Sequence, residues 1–501
     1  VARVRARMST DPRHPVIVGV AQQTWRGGDA PSPIEMCAET VTAAAADAGA
    51  GDALLRRAGA IGVVDIASRR WNDPAALVAA RLGIEPPETI RTNLGGDGPQ
   101  VLVSHLATRI EQGDLDVAIV CGAEALATLA RAMRDHRDPP WEPVDDDVAP
   151  SRVLGADRPP ATQAETDANL IAPIVMYPLL ENALWAQEGT SLEEHRARLG
   201  ELWAGFSAVA AGNPYAWSPE RRTAQEIATP TPDNRLVTLP YTKLLNSNIQ
   251  TDQSAALILC SDAAARDLGI DRDRWVYPHA AGHAYDHWFV TEREDLTSSP
   301  AIRFAAGAAL AATGADIDDV AHLDVYSCFP SAVQISCREL GIDPFTDARP
   351  LTVTGGLTFA GGPGNNYVTH AIAALAERLR EDPDALGLST AVGWYLTKHA
   401  VGVYGAREPR GPFVAAHVQD EVDATPRRES GAGVAGTAEG ESVSVVYSRD
   451  GEPTVGAVTA LLPDGRRAVA KTTEPDDLEV MTAAPITGRD VHLDGEGGVR
   501  L

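Results

Sequence analysis

Two tyrosines stand among glycines in the part of the sequence best equipped for chemistry. Tyr326 opens the run Tyr326-Ser327-Cys328-Phe329, and Tyr367 closes Gly364-Asn365-Asn366-Tyr367. Between them, starting 26 residues after Phe329, lies Gly355-Gly356-Leu357-Thr358-Phe359-Ala360-Gly361-Gly362-Pro363. A phenol ordinarily titrates near pH 10; it donates a hydrogen bond, and it serves as general acid or base once neighbours lower its pKa. Cys328 places a thiol nearby, a nucleophile only as the thiolate. His279, His283 and His287 recur at intervals of four, a spacing that on a helix would turn three imidazoles to one side as metal ligands. Trp275–Ala281 reads instead as a strand running into Gly282, so the three need not converge and no metal is expected. Gly361-Gly362-Pro363-Gly364 lacks the spacing and the strand-to-helix opening of a dinucleotide loop.

These blocks resemble two active-site blocks of the thiolase superfamily, in its sterol-carrier-protein-thiolase branch. There the first reads His-Asp-Cys-Phe and the second Gly-Gly-x-x-x-x-Gly-His-Pro, so Tyr326 and Gly362 stand where the two histidines would be. The likeness extends over roughly residues 14–410. Asn93-Leu94-Gly95-Gly96-Asp97-Gly98-Pro99-Gln100 resembles the nucleophile turn, in which a cysteine sits three residues before the glycine that opens a buried helix. Counting back from Gly98, Gly95 holds that place. Leu115–Glu124 and Asn246–Cys260 match further family positions, and the last block, a Cys-x-Gly, aligns with Ser389–Trp394, which has no cysteine.

The resemblance implies a fold without its usual reaction. Thiolysis needs an activated cysteine to carry the acyl group, a base, and donors for the thioester oxyanion. Glycine at 95 offers no atom to acylate. The chain is therefore similar to acetyl-CoA acetyltransferases of acyl-CoA and fatty-acid metabolism, handling acyl-CoA with no thiolase activity expected. It also resembles thiolase-like aldolases, in which Tyr replaces the same histidine. On that reading Tyr326 and Tyr367 would run retro-aldol cleavage of a β-hydroxyacyl-CoA, which needs a base and an enolate-stabilising donor but no acyl-enzyme. A third reading is a non-catalytic acyl-binding or scaffold protein. The carried-over substrate-contact positions are Asp97, Cys328, Gly361, Asn366 and His399. Cys328 matches a packing residue in the family, and Lys398-His399 lie where the last block approaches the site. The only small molecule implied is the CoA thioester itself, with no separate cofactor. The relatives imply a homodimer, or a monomer if an added domain covers that interface.

Positioning such groups requires a frame, and the apolar pattern supplies one. Strand-like runs alternate with helical ones: Val16–Ala21, Ile34–Ala48, Ala60–Ile66, Pro74–Leu82, Thr89–Thr92, Gln100–Glu111, Val117–Gly122. This alternation predicts βαβ units in a mixed or mainly parallel sheet covered by helices. The order recurs after Asn246, with strands near Ala256–Cys260, Trp275–Ala281, Leu323–Ser327 and Val401–Tyr404 and helices near Ile302–Thr313, Pro330–Leu340 and Val368–Leu379. The predicted fold is α/β, a duplicated thiolase fold of two halves in five layers. Its expected divisions are an N-terminal half at 14–125, an insertion at 126–245, a C-terminal half at 246–410 and a small all-β, barrel-like module at 411–501. The insertion carries the Pro- and Asp-rich Asp138–Asp147 and then a helical stretch from Ala172 to Gly212. In the module, Ser442–Tyr447, Val455–Leu461 and Arg467–Lys471 are separated by Asp450-Gly451 and Asp464-Gly465, which are hairpin signals. It resembles the oligonucleotide-binding-fold addition of type-1 thiolase-like proteins.

Charge excludes several partners. A net charge of −26 over 501 residues opposes non-specific binding to nucleic acid or anionic membrane. The module has 16 Asp and Glu against 8 Lys and Arg, with Phe413 and Tyr447 as its only aromatics, a poor surface for stacking bases. No apolar run approaches a membrane span, and the Arg-rich Val1–Pro15 lacks the apolar stretch of a secretory signal. Five scattered cysteines without CxxC spacing suit a reducing compartment. A cytoplasmic protein is expected.

Overall fold

The computed structural model describes residues 13–144 and 147–501. Most of the Arg-rich start, and Asp145-Asp146 of the acidic insertion run, lie outside the described residues. In chain order the strands are β1 (Pro15–Thr24), β2 (Ala60–Val63), β3 (Glu88–Thr92), β4 (Val117–Ala125), β5 (Arg152–Leu154), β6 (Leu236–Thr238), β7 (Tyr241–Thr242), β8 (Asp252–Ser261) and β9 (Tyr277–Tyr285). There follow β10 (Val320–Asp324), β11 (Leu386–Gly393), β12 (Lys398–Gly405), β13 (Val414–His417), β14 (Ala435–Tyr447), β15 (Pro453–Leu461), β16 (Arg467–Thr472), β17 (Asp490–Asp494) and β18 (Val499–Arg500).

A first mixed sheet has the order β1-β8-β4-β2-β3-β5, and a second has β10-β11-β12-β9-β13. Strands β4 and β8 are buried along their whole length, which is why their sequences read as nearly continuous apolar runs. Helices Pro33–Asp47 and Pro74–Leu82 cover the outer face of the first sheet, Gly98–Glu111 and Tyr367–Glu381 fill the space between sheets, and Pro300–Thr313 covers the second. These are the five layers that the resemblance implies. The duplication extends to single atoms. A Cβ on Gly19 of β1 would lie 2.2 Å from the Ala44 carbonyl oxygen, and one on Gly282 of β9 would lie 1.9 Å from that of Ala305. In each half the outer helix rests on strand backbone through a glycine.

Strand β8 departs from the sequence reading. The alternation assigned Ala256–Cys260 to the second half, but β8 pairs antiparallel with both β1 and β4 in the first sheet. Its apolar content satisfies either sheet, so periodicity does not distinguish them. The helical stretch Ala172–Gly212 is two helices, Pro173–Glu188 and Leu192–Ala210, parted at Gly189, whose φ of 67° ends the first in the left-handed region. The expected strand Trp275–Ala281 starts at Tyr277 and continues through Gly282 to Tyr285.

The module's strands run β16-β15-β14-β17-β18, and a parallel bridge from Lys471 to Gly498 joins the two ends into a closed barrel. Its core includes Leu478 and Met481 of helix Pro475–Ala483 and takes in Trp185 and Leu239 of the insertion. The insertion also supplies Thr238, which bridges Val446 of β14. Asn182 donates from Nδ2 to the carbonyls of Leu239 and Val443. Ser442 and Ser444 donate to the carbonyls of Leu179 and Val175. Among the described residues no helix is long and apolar enough to cross a membrane.

His195 ties the insertion helices together. Its fully buried ring places Nδ1 2.8 Å from Glu188, hydrogen bonded, and Nε2 3.1 Å from Glu181 as an ion pair outside hydrogen-bond alignment. Burial alone would lower its pKa, but the close contacts with the two glutamates and their charges overcome it and leave it at about 9. The folded state therefore retains a proton that the unfolded chain releases above about pH 6.5. The resulting stability is fully present below that value and is lost as pH rises through about 9. The advantage of the wild type over His195→Gln, measured by urea unfolding, should shrink by about 2–3 kcal/mol between pH 6 and pH 9.5. A constant difference would show that folding leaves the proton affinity of the ring unchanged.

Candidate functional site

The Gly95 turn and Tyr326 meet at the N-terminus of helix Gly98–Glu111. A Cβ on Gly96 would lie 2.3 Å from the Tyr326 hydroxyl and 2.5 Å from the Val392 carbonyl oxygen at the end of β11. The phenol thus rests on bare backbone. Gly95 has φ 154°, and its N–H donates to Oδ1 of Asn365 at 3.0 Å. A Cβ there would lie 2.2 Å from Asp97 Oδ1 and 2.8 Å from Lys398 Nζ. The Lys398 ammonium, 1% exposed, donates to the carbonyls of Leu94 at 2.5 Å and Ala156 at 3.3 Å, and lies 3.8 Å from Asp97. Space for a nucleophile at position 95 is occupied by this ion pair.

The two tyrosines are neighbours with separate tasks. Their rings cross edge to face with centroids 5.5 Å apart. The Tyr367 hydroxyl donates to Asp324 at 2.9 Å and lies 2.6 Å from the Thr354 hydroxyl. Asp324 also accepts from Thr352 and from the N–H groups of Val353 and Thr354. Burial lifts its pKa to about 6 against those hydrogen bonds. This closed network locks the chain entering the glycine-rich block and leaves Tyr367 no free hydroxyl, so the expected pair does not face one opening. Burial also raises both phenols well above 10, with Cys328 and Asp97 adding for Tyr326, and Asp324 adding for Tyr367. Neither is prepared to act as a base.

The other expected positions scatter. Gly361, at φ 114°, has its absent Cβ against the Gln253 amide, and the Gly362 N–H donates to the Asn248 carbonyl. Asn366 donates to the Gly122 carbonyl and accepts from the Thr369 hydroxyl, tying the start of helix Tyr367–Glu381 to β4. Asn365 is the residue that reaches the Gly95 turn, and its amide also holds the Asp65 carbonyl. The sequence showed two adjacent asparagines and no signal to choose between them. Burial pushes the Cys328 thiol up to about 12, so it is no nucleophile. His399 meets the Leu396 carbonyl and Ser299, and burial lowers it to about 4. His279, His283 and His287 diverge, toward the Arg407 carbonyl, the His417 ring and the Thr425 hydroxyl. Among the described residues no cluster of three or more metal-ligating side chains is formed.

Two large cavities approach this centre without being lined by Tyr326 or Gly95. One, of about 670 Å³, opens between the insertion and the core beside Asn246, Ser247 and Asn248. Its walls carry Arg131, Arg134, Arg222 and Lys243 against the single carboxylate of Glu220, with Trp217 and Phe359 as aromatic surfaces. Arg131 is fixed by Asp252 and Asp29. Arg134 and Lys243 are exposed.

The thiolase-like protein type 1 additional C-terminal domain model matches residues 417–497. No curated protein matches the chain. Among solved structures, a monomeric SCP2-thiolase-like protein type 1 from Mycobacterium smegmatis is 32% identical, with TM-score 0.83, over 98% of this chain and 100% of that one. An acetyl-CoA acetyltransferase from Syntrophomonas wolfei, at 16% identity and TM-score 0.58, aligns over 79% of this chain and 99% of its own. The Ltp2-ChsH2(DUF35) aldolase, at 19% and 0.57, does so over the same shares. The last two share the fold alone, whereas the first extends through core, insertion and barrel. The chain belongs to the type 1 SCP2-thiolase-like proteins.

Proposed function

We propose that this protein binds a CoA thioester and does not cleave it. The observation that carries the reading is a cationic groove of about 670 Å³ on a chain of net charge −26, next to a centre whose nucleophile space is filled. Arg134, Arg222 and Lys243 suit the phosphates of the nucleotide, since several exposed cations gathered on an acidic protein attract a polyanion. The half-buried Trp217 offers a flat apolar surface for the adenine ring or the pantetheine arm. Asn248 in its wall accepts from the Gly362 N–H at 2.9 Å, which sets the groove beside the glycine-rich block. An aldolase role, as in the Ltp2-ChsH2(DUF35) aldolase, needs both phenols at one opening, and Tyr367 is enclosed with Asp324 and Thr354.

Titration calorimetry with acetyl-CoA tests the reading. Arg134→Glu combined with Lys243→Glu should weaken binding by about 10–100-fold, and raising the salt should weaken wild-type binding in the same direction. Absence of wild-type binding at 1 mM acetyl-CoA, or affinity indifferent to the charge reversal, would remove the groove as the site.

A further inference from the structure

The second large cavity, between helix Gly98–Glu111 and strands β9 and β13, has its charged side chains paired already: Asp97 with Lys398, and Arg109 with Glu88 and Asp114. The mouth of the cationic groove is different. Arg222 and Lys243 are exposed there and, among the described residues, form no ion pair. The Arg134 side chain, 73% exposed, has only Asp135 at 3.8 Å, a surface pair worth little. With 69 acidic side chains against 43 basic ones in the chain, unengaged cations gathered at one opening are an exception on this surface.

Large apolar side chains are exposed at the same opening. Ile174, in the groove wall, is 43% exposed, and Ile249, between the wall residues Asn248 and Gln250, is 56% exposed. Met133, beside Arg134, is 69% exposed. A single exposed apolar residue is ordinary. Three around one opening, set among unpaired cations, have the composition of a protein-contact surface. Met133 and Ile249 stand outside the groove wall, where a nucleotide held within would not cover them. A protein with acidic and apolar side chains covers both kinds of residue. A bilayer would meet the same rim, but it faces far more of a surface that is acidic overall, whereas a small protein touches only the rim and charges beyond about 8 Å are screened.

We infer that the mouth of this groove docks a small acidic acyl-carrier protein, which delivers an acyl thioester on a phosphopantetheine arm in place of free coenzyme A. Docking here rests on the groove admitting a pantetheine thioester, as proposed above, and names what brings that thioester. The carrier's carboxylates would meet Arg134, Arg222 and Lys243, and its apolar side chains Met133, Ile174 and Ile249. The arm has the same pantetheine and phosphate as coenzyme A, and would run past Trp217 and Asn248 toward the glycine-rich block. Only a partner that carries this arm uses the groove and its mouth together.

The probe is a bacterial acyl-carrier protein in its apo form and as the acetylated holo form, each measured by titration calorimetry beside acetyl-CoA. The acetyl form should bind with a stoichiometry of one and a dissociation constant on the order of 10 µM. The apo form, which lacks the arm, should bind about tenfold more weakly, and excess acetyl-CoA should weaken the acetyl form to that level. Met133→Gln combined with Ile249→Gln, which leaves the charge unchanged, should weaken the acetyl carrier by about tenfold while acetyl-CoA binding stays within about twofold and the circular dichroism spectrum is unaltered. Acetyl-CoA binding with no carrier binding at about 200 µM would overturn carrier docking and leave the coenzyme A reading standing, and binding of neither would remove both. Carrier docking also falls if the double variant loses acetyl-CoA as strongly as the carrier, if the apo and acetyl forms bind alike and ignore acetyl-CoA, or if phosphatidylglycerol vesicles bind the wild type and not the double variant.

Discussion

Replacing Arg467 by methionine should loosen the C-terminal barrel from the rest of the molecule and lower stability by about 3–5 kcal/mol. The guanidinium is 1% exposed and grips both oxygens of Glu441 within the module. It also donates across the junction to the carbonyls of Thr291 and Arg293, and at 3.4 Å to that of Glu294. Arg293 itself holds the Tyr395 carbonyl and the Thr397 hydroxyl in the turn before β12. Methionine keeps much of the volume but strands a carboxylate and several carbonyls, and an unpaired buried charge is the costly outcome of breaking such a contact. Guanidinium unfolding should show the loss, and limited proteolysis should cut sooner in the 424–434 connection that leads from the core to β14. Adding Glu441→Met should recover part of it, because an apolar pair has no charge to bury. An Arg467→Met protein with wild-type stability and protease resistance would place the anchor elsewhere, in Asn182 and the serines of β14.

The sequence carried the frame well because frame and periodicity have the same physical origin. Helix Pro330–Leu340 and helix Pro74–Leu82 occupy the spans their patterns predict, since a proline at the first position and a glycine after the last mark both ends. Strand β8 follows the insertion in the chain yet joins the first sheet, a choice the pattern does not reveal because burial on both faces erases the distinction between neighbours. The site was harder to read for a related reason. Residue types revealed what was missing at positions 95, 326 and 362, but not what had moved into the space. Lys398 lies 303 residues from Gly95 in sequence, and only the fold brings its ammonium under the nucleophile turn. Tyr367 had the right chemistry and the wrong company. Its partner Asp324, two residues before Tyr326, lies inside the expected strand Leu323–Ser327 with nothing to mark it as a partner, and in the structure it ends β10.

Gly95→Cys should leave acetoacetyl-CoA thiolysis at the uncatalysed background and also cost about 1–3 kcal/mol of stability. The backbone at 95, with φ 154°, is one that side chains seldom adopt, and the new Cβ would lie 2.2 Å from Asp97 Oδ1 and 2.8 Å from Lys398 Nζ. To fit, the thiol must displace a buried ion pair whose ammonium also holds two backbone carbonyls. Even then it meets no partner: position 362 has no imidazole, β11 has no cysteine, and burial holds the Tyr326 proton in place. Catalytic groups that work as a unit do not return activity one at a time. The other lost position behaves differently. A Cβ on Gly362 meets nothing nearer than the Asn248 carbonyl at 3.3 Å, so Gly362→Ala should cost less stability than Gly95→Cys and serve as the control for a milder substitution in the same centre. Coenzyme-A-dependent loss of acetoacetyl-CoA absorbance reads the activity, and thermal unfolding reads the strain. Thiolase-like turnover by the Gly95→Cys protein would mean that Lys398 yields its place readily and that an acid–base pair survives in the centre, contrary to the closed arrangement around Tyr326.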